Sequence, residues 1–327
     1  WNDSANSNYR EQFTAILNAA NQTGQVFGNP RESGTIGGIS TEVYTFSSNQ
    51  LDLPIFKFQK SVGGISRGFE VVSSTITDSE SIYEAAPVPG TGLTYTYRSD
   101  GSGDSSNNTG FFFLFKQGTL QQTEFTVDTA VTNYVKSLDA TDINETDVWL
   151  YKLDQFGQLL ESWTKVPSLS GNNSIYNSLS KAERNIYNVV TKNNDAIDFV
   201  FGDGNFSNIP LGSFRTYYRI SDNDKYAIQS ADMQNVQLPV PYTDVNGAQQ
   251  TLTMNMSLKA SVYNAAATES NDSIKEKAGQ VYYSQNRMIT AEDYQVVPLS
   301  ASQEIVKVRS VNRSASGISR AKEILDP

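Results

Sequence analysis

Residues 198–219 read DFVFGDGNFSNIPLGSFRTYYR. Ile197, Phe199 and Phe201 alternate along the approach to the glycines, and Phe214, Thr216, Tyr218 and Ile220 alternate on the way out. A period of two puts such side chains on one face of a strand, so the pattern predicts two strands that share a buried face and pair as a hairpin. The residues between them have turn chemistry. Gly202 and Gly204 can take positive φ without a steric penalty, and Asp203 can bond nearby amides as an Asx turn does. Pro210 and Gly212 fit the second and fourth positions of a type I turn. Gly202, Asp203, Gly204, Pro210 and Gly212 are therefore read as a structural hairpin.

Ligand-binding readings of the same stretch fail on spacing. Asp203, Asn205 and Ser207 offer oxygens at alternate positions, but Asn208 and Phe214 stand where a calcium loop requires Gly and a bidentate Glu. A phosphate loop needs Lys-Ser or Lys-Thr opening a helix, and here a strand follows. A kinase-type metal turn needs a His-Arg-Asp partner, and the chain has no His. Gly63 to Gly68, GGISRG, lacks both dinucleotide and Walker spacing and reads as a turn. In RSDGSGDSSNNTG, residues 98–110, Asp100, Ser102 and Asp104 imitate a calcium loop whose twelfth position is Phe111, so a polar loop is predicted. The acidic pairs Glu124 with Asp128 and Asp142 with Glu145 have glycosidase-like residue types, but nothing in the sequence places them in a cleft.

Composition narrows the classes further. The chain has 327 residues, of which 38% are hydrophobic and only 18% charged, which suits a β-rich protein. Zero Cys and zero His exclude thiolate chemistry, Ser-His pairs and His-ligated metals. A formal charge of −10 repels a phosphate backbone, so no nucleic acid is expected as a partner. Lys307, Arg309, Arg313, Arg320 and Lys322 read as a solvated basic surface near the end. No apolar run reaches about 18 residues, so no membrane span or signal peptide is predicted. The chain begins at Trp1 without Met and reads as part of a longer one.

Outward from the opening stretch, short alternating runs such as TEVYTF, GFEVVS, LTYTYR, TEFTV and DVWLYKL predict antiparallel strands. Phe111 to Phe115 predicts a strand buried on both faces. The fold class expected is α+β and β-rich: an antiparallel β-sandwich or barrel-like body with an N-terminal helix and a C-terminal α/β segment. Residues 1–40 are assigned to the helix and connector, 41–228 to the body and 229–327 to a C-terminal self-association domain. In that domain Ser273 with Glu276 predicts a capped helix to Asn286. Thr290 with Asp293 predicts a second, bracketed by the staple pair Ile289 and Tyr294 and stopped by Pro298. EIVKVRSVNR predicts a closing strand. Ile274, Ala278 and Val281 form one helical stripe, and with Tyr282 they predict a two-fold homodimer contact, since a single stripe cannot bury all of that surface.

The stretch FVFGDGNFSNIPLGSFRTYYR resembles the FGDG-containing hairpin of baseplate J-like proteins, wedge components of contractile phage tails. SWTKVPSLSG, residues 162–171, is similar to the Trp strand upstream of that hairpin in the family. NRMITAEDYQVV, residues 286–297, is similar to its Arg-x-x-Thr-x-x-Asp-Tyr segment downstream. Asn208 departs from the Gly common at that place. The Tyr- and Asn-rich remainder is similar to the wedge proteins of T-even-type phages. The resemblance implies a structural, non-catalytic virion protein without cofactor or metal, located in the tail baseplate and assembled in the host cytoplasm. It further implies a higher ring assembly around the hub, contacts with other baseplate wedge proteins, no membrane partner, and a conformational switch at sheath contraction. A tail-fibre or carbohydrate-binding module, with Tyr and Trp as sugar platforms, is the alternative.

Overall fold

The computed structural model describes residues 32–36, 38–46, 56–76, 82–88, 93–99, 110–169, 184–205, 207–243, 248–263, 265–284, 289–301 and 307–311. The helix expected near the N-terminus and the loop carrying Asp100, Ser102 and Asp104 lie outside them. The chain divides into two compact units, Trp1–Ala265 and Ala266–Pro327. Its character is as expected: β-rich, antiparallel in nearly every pairing, with few helices.

Four smaller sheets accompany a larger one in the first unit. β1 (Glu32–Ile36), β2 (Ile39–Phe46), β7 (Leu93–Ser99) and β8 (Gly110–Phe112) form one sheet in that order. β3 (Phe56–Val62), β4 (Ile65–Val72) and β9 (Leu114–Gln117) form a second. β5 (Ser74–Ile76) pairs with β6 (Ile82–Glu84). β17 (Val236–Thr243) pairs with β18 (Gln249–Met256). The β3–β4 hairpin turns on Gly63 and Gly64, whose φ values of 60° and 82° give the doubly left-handed turn that matches strand twist. GGISRG is thus a turn running into a strand.

The larger sheet has seven strands in the order β10 (Thr119–Val127), β16 (Gly212–Ile220), β12 (Ile143–Leu153), β13 (Leu159–Lys165), β14 (Ile186–Thr191), β15 (Ile197–Phe201) and β11 (Val135–Ser137). It curls into a half-barrel. Inside the curl Phe214 packs on Phe125 with ring centroids 5.4 Å apart, and Trp163 sits 5.4 Å from Phe201 and 5.5 Å from Phe214. Phe199, Phe201 and Phe214 are wholly buried. The alternation in the sequence therefore gave the right face for both strands. The predicted hairpin is corrected, because β15 pairs with β14 and β11 whereas β16 pairs with β10 and β12. Alternation specifies which way side chains point and not which strand lies alongside. Curling lets two strands separated by three others look at each other across one core.

Phe111 to Phe115 is also corrected. The run breaks at Phe113, its two parts join different sheets, and Phe112, Phe113 and Phe115 are half-buried. Shared between sheets, these rings line a gap and are not sealed between layers. The domain boundary expected at 228/229 falls inside the first unit, which extends to Ala265. Ile228, Met233 and Val236 pack with Val62 and Phe69 of the β3–β4 hairpin, and that shared core keeps β17 and β18 with the body.

The second unit contains α1 (Asn271–Ser284) and α2 (Asp293–Ala301), which pack together. Thr290 and Asp293 form the reciprocal cap predicted: the Asp293 amide donates to Thr290 Oγ1 at 3.2 Å and the Thr290 amide to Asp293 Oδ2 at 2.8 Å. At α1 the cap is Ser270 instead of Ser273, with the Ser273 amide donating to Ser270 Oγ at 3.3 Å. Ser270 lies where the first helical bond begins, its carbonyl accepting from the Ile274 amide at 3.0 Å. The Ser273 hydroxyl donates to Glu269, which also holds Lys277 Nζ at 2.6 Å. Pro298 does not stop α2, which runs on to Ala301. Lacking an N–H, it removes one backbone bond without ending the turn around it. Residues 307–311 of the predicted closing strand take no strand pairing.

On β15, Asp198 is buried and its Oδ2 lies 2.6 Å from Lys192 Nζ. Burial alone would raise its pKa, but bonds from Lys192 and Ser137 outweigh that and hold the carboxyl below its usual 3.8. A depressed carboxylate contributes stability above its unfolded pKa and loses it as pH falls through the folded value. Asp198→Asn should be less stable than the parent near neutral pH, with the gap closing below pH 3.8. Urea titrations across that range check it.

Candidate functional site

The loop joining β15 to β16 is tied down from all sides. The Asn205 amide donates to Asp203 Oδ1 at 2.9 Å, the Asx turn expected, and Asn205 Nδ2 donates to Asp203 Oδ2 at 3.0 Å. Arg184 Nη2 donates to the Gly204 and Asn205 carbonyls at 3.1 and 3.0 Å. The Asn133 amide reaches the Gly202 carbonyl at 2.9 Å, and the Asn208 amide reaches the Arg184 carbonyl at 2.8 Å. Arg184 thus fixes the turn through the Gly204 and Asn205 carbonyls. Pro210 is buried.

The glycines act in different ways. Gly204 has φ 87°, the positive value expected of it, and Gly212, read only as the last position of a turn, also has positive φ, at 101°. Gly202 is corrected, because it is absent from the positive-φ residues and its role is close approach. A Cβ there would lie 1.6 Å from Ser207 Oγ and 2.8 Å from Ser207 Cβ, and Ser207 is 2% exposed.

A second constellation was not found by sequence reasoning. Arg219, near the end of β16, is 1% exposed. Its Nη1 binds Glu70 of β4, its Nη2 lies 2.6 Å from Glu84 Oε1 of β6, and its Nε donates to Asp147 Oδ2 of β12 at 3.2 Å. Lys116 of β9 donates to Asp147 Oδ1 at 2.6 Å and forms an ion pair with Glu84 Oε2 at 2.9 Å. Lys57 of β3 stands 3.4 Å from Glu70 Oε1, and the Leu120 amide donates to Glu70 Oε2 at 3.0 Å. Three cations thus meet three carboxylates. Burial alone would lower the Arg219 pKa, but Glu84, Glu70 and Asp147 outweigh it and hold the guanidinium above the usual arginine range. Each carboxylate of the cluster is engaged by Arg219 and by a lysine. Among the described residues no group of carboxylates is placed to hold a metal ion.

Of the acidic pairs suggested by residue type, one member of each is bound to another residue. Glu124 bonds Arg215 across β10 and β16 at 2.8 Å, and Glu145 accepts from Thr191 at 2.9 Å. Asp142 sits at a turn with φ 56°. Of the self-association residues, Ile274 is 46% and Tyr282 76% exposed, and Ala278, one turn from each, is also exposed. Val281 lies in α1, and its side chain is outside the described set.

A family model described as Domain of unknown function (DUF8360) matches residues 1–261, almost the whole first unit. No curated protein and no solved structure matches the chain.

Two stability effects follow from this geometry. Gly202→Ala should cost more than Gly204→Ala, itself about 1 kcal/mol, and Ser207→Gly should restore most of the Gly202→Ala loss in a double-variant cycle. Arg219→Met removes the one cation common to three buried carboxylates, leaving them to Lys57 and Lys116, and should cost about 3–5 kcal/mol in urea unfolding. Arg215→Met, at a partly exposed pair, should cost about 1 kcal/mol or less.

Proposed function

The chain belongs to the DUF8360 family, and we propose that it is a structural, non-catalytic wedge component of a contractile tail baseplate that associates through its second unit. One observation carries the association: none of the described side chains of that unit is buried. Ile274, Tyr282, Ile289, Tyr294 and Val311 are each about half exposed or more. Two short helices with no buried side chain among those described gain stability from an apolar surface supplied from elsewhere. Ile274, Ala278 and Tyr282 recur every four residues along α1, so one helix face offers that surface to a second copy.

The baseplate reading is supported by the resemblance of three motifs in order, and two of them meet in one core. Trp163, from SWTKVPSLSG, packs on Phe201 and Phe214, the aromatic residues flanking the FGDG loop. The third motif supplies the Thr290–Asp293 cap of α2. The carbohydrate reading receives no such support: Trp163 is 6% exposed and Trp149 packs against the Leu120, Tyr151 and Tyr217 cluster, so neither offers a sugar platform.

Sedimentation equilibrium of the full chain at tens of micromolar should give a dimer, and Tyr282→Glu, an exposed change, should give a monomer. A monomeric parent chain rules out the association. Antibodies against the chain should label the baseplate end of contractile-tailed virions, and labelling of fibres alone overturns the baseplate assignment.

A further inference from the structure

A cleft of about 650 Å³ lies in the first unit and takes none of its lining from the β15–β16 loop. Phe58, Val71 and Phe115 on its lining are each next in sequence to Lys57, Glu70 and Lys116 of the charge cluster, so cleft and cluster lie on opposite faces of one sheet. Met233, Met254 and Met256, three of the chain's four methionines, line it together with Phe112, Phe113 and Phe115. Thioether side chains are flexible and polarizable, and their gathering suits a surface that repacks around an incoming apolar group. The three rings and Met254 and Met256 are only half-buried, so the lining is within reach of solvent.

Strand topology adds a second property. β8 ends the four-stranded sheet, β9 ends the three-stranded one and β18 belongs to a sheet of two, so each has one strand partner among the described residues. A strand with one partner has a row of amides and carbonyls available for another. On β18, Thr253 and Asn255 are exposed and alternate with the half-buried Met254 and Met256. Charge adds a third property. Lys259 lies on the lining, its Nζ 5.4 Å from the Phe112 ring centre, and among the described residues it has no carboxylate partner. Although Lys259 is largely exposed, partial loss of water around its ammonium, with Arg98 close by, holds it below the usual lysine range.

We propose that this cleft receives an extended segment of a partner protein, which pairs with the edge of β18, seats alternate apolar side chains among the methionines and phenylalanines, and sets a carboxylate beside Lys259. A helix would fill the apolar space but leave the strand edges unpaired, whereas an added strand uses backbone bonds for affinity and alternate pockets for selection. A carboxylate both neutralises Lys259 and complements its place on the lining of an otherwise acidic chain. The site lies in the first unit and is independent of the association face on α1.

The test titrates the full chain with a labelled eight-residue peptide that alternates Thr with Val, Phe and Ile and ends in Asp-Asp. The same peptide ending in Lys-Lys serves as the counterpart. The acidic peptide should bind about tenfold more tightly than the basic one, and Lys259→Glu, an exposed change, should reverse that preference. Hydrogen exchange should slow along residues 249–256 in the complex. No binding at roughly 1 mM, an unchanged preference in Lys259→Glu, or binding without slowed exchange overturns the proposal. Tighter binding by dodecanoate, with displacement of the peptide, assigns the cleft to a lipid-like ligand and also overturns it. Slowed exchange on concentrating the chain alone assigns it to a second copy, with the same consequence. Each of these failures leaves the α1 association standing, because that is read from sedimentation.

Discussion

Arg219 is the point at which the sheets of the first unit are fastened to one another. Its three carboxylate partners come from β4, β6 and β12, so one guanidinium joins the half-barrel to two smaller sheets. Taking such charges out of water is costly, and only near-complete pairing makes the burial tolerable. Lys116 and Lys57 supply the remaining countercharge and bring β9 and β3 into the same network. A parallel device works at the exit from the half-barrel. Arg67 of β4 is 6% exposed, binds Asp222 and Asp224, and stacks 3.8 Å over the Tyr226 ring, holding the chain that leads from β16 toward β17. In both cases an arginine on one sheet fixes carboxylates from another segment, using the directional donors that suit guanidinium to such sites.

Directionality is what the charges add beyond cohesion. A cluster of Leu and Met of equal volume would hold the layers at least as firmly, because apolar replacement of buried ion networks is often neutral or stabilising. It would hold them without specifying register, since apolar contact is indifferent to small sliding. The guanidinium has donors at fixed angles, and Glu70, Glu84 and Asp147 meet three different nitrogens. A shift of one residue along β4 or β12 would carry its carboxylate to the other face of its strand. The arrangement therefore ties the stacking of the sheets to the register within them.

The same residues explain what could be read in the sequence. One face of β16 was legible, because Phe214, Thr216 and Tyr218 alternate as a buried face does. The other face was not: an Arg at an outward position reads as solvent-facing, and the partner that makes it interior, Glu70, is 149 positions away. Pairing of β15 with β16 was misjudged for a related reason, since strand neighbours are decided by the curl of the whole sheet. Local chemistry fared better. The Thr290–Asp293 cap and the Asp203 turn involve residues two or three apart and form as their spacing predicts. The α1 start was misplaced by three residues because Ser273 with Glu276 has the capping-box spacing and Ser270 does not, yet the first helical bond begins at Ser270. The Met-lined cleft left no trace in the pattern, as its walls come from β3, β8, β9 and β18, far apart in the chain.

The two units consequently depend on different things for their order. The first has several buried clusters and a buried ion network, all supplied by residues of one chain. The second has well-formed caps but none of its described side chains buried. Caps and helix propensity contribute about 1 kcal/mol each, which is short of what two helices of this length lose in chain entropy. A partner's surface can meet the deficit, and an interface of about 800 Å² per partner is ample for it. Under the proposed association, the free energy of ordering this unit is linked to protomer concentration by mass action. The unit would be weakly ordered while copies are dilute and firmly ordered once they meet, whereas the buried clusters of the first unit are built from the chain's own residues.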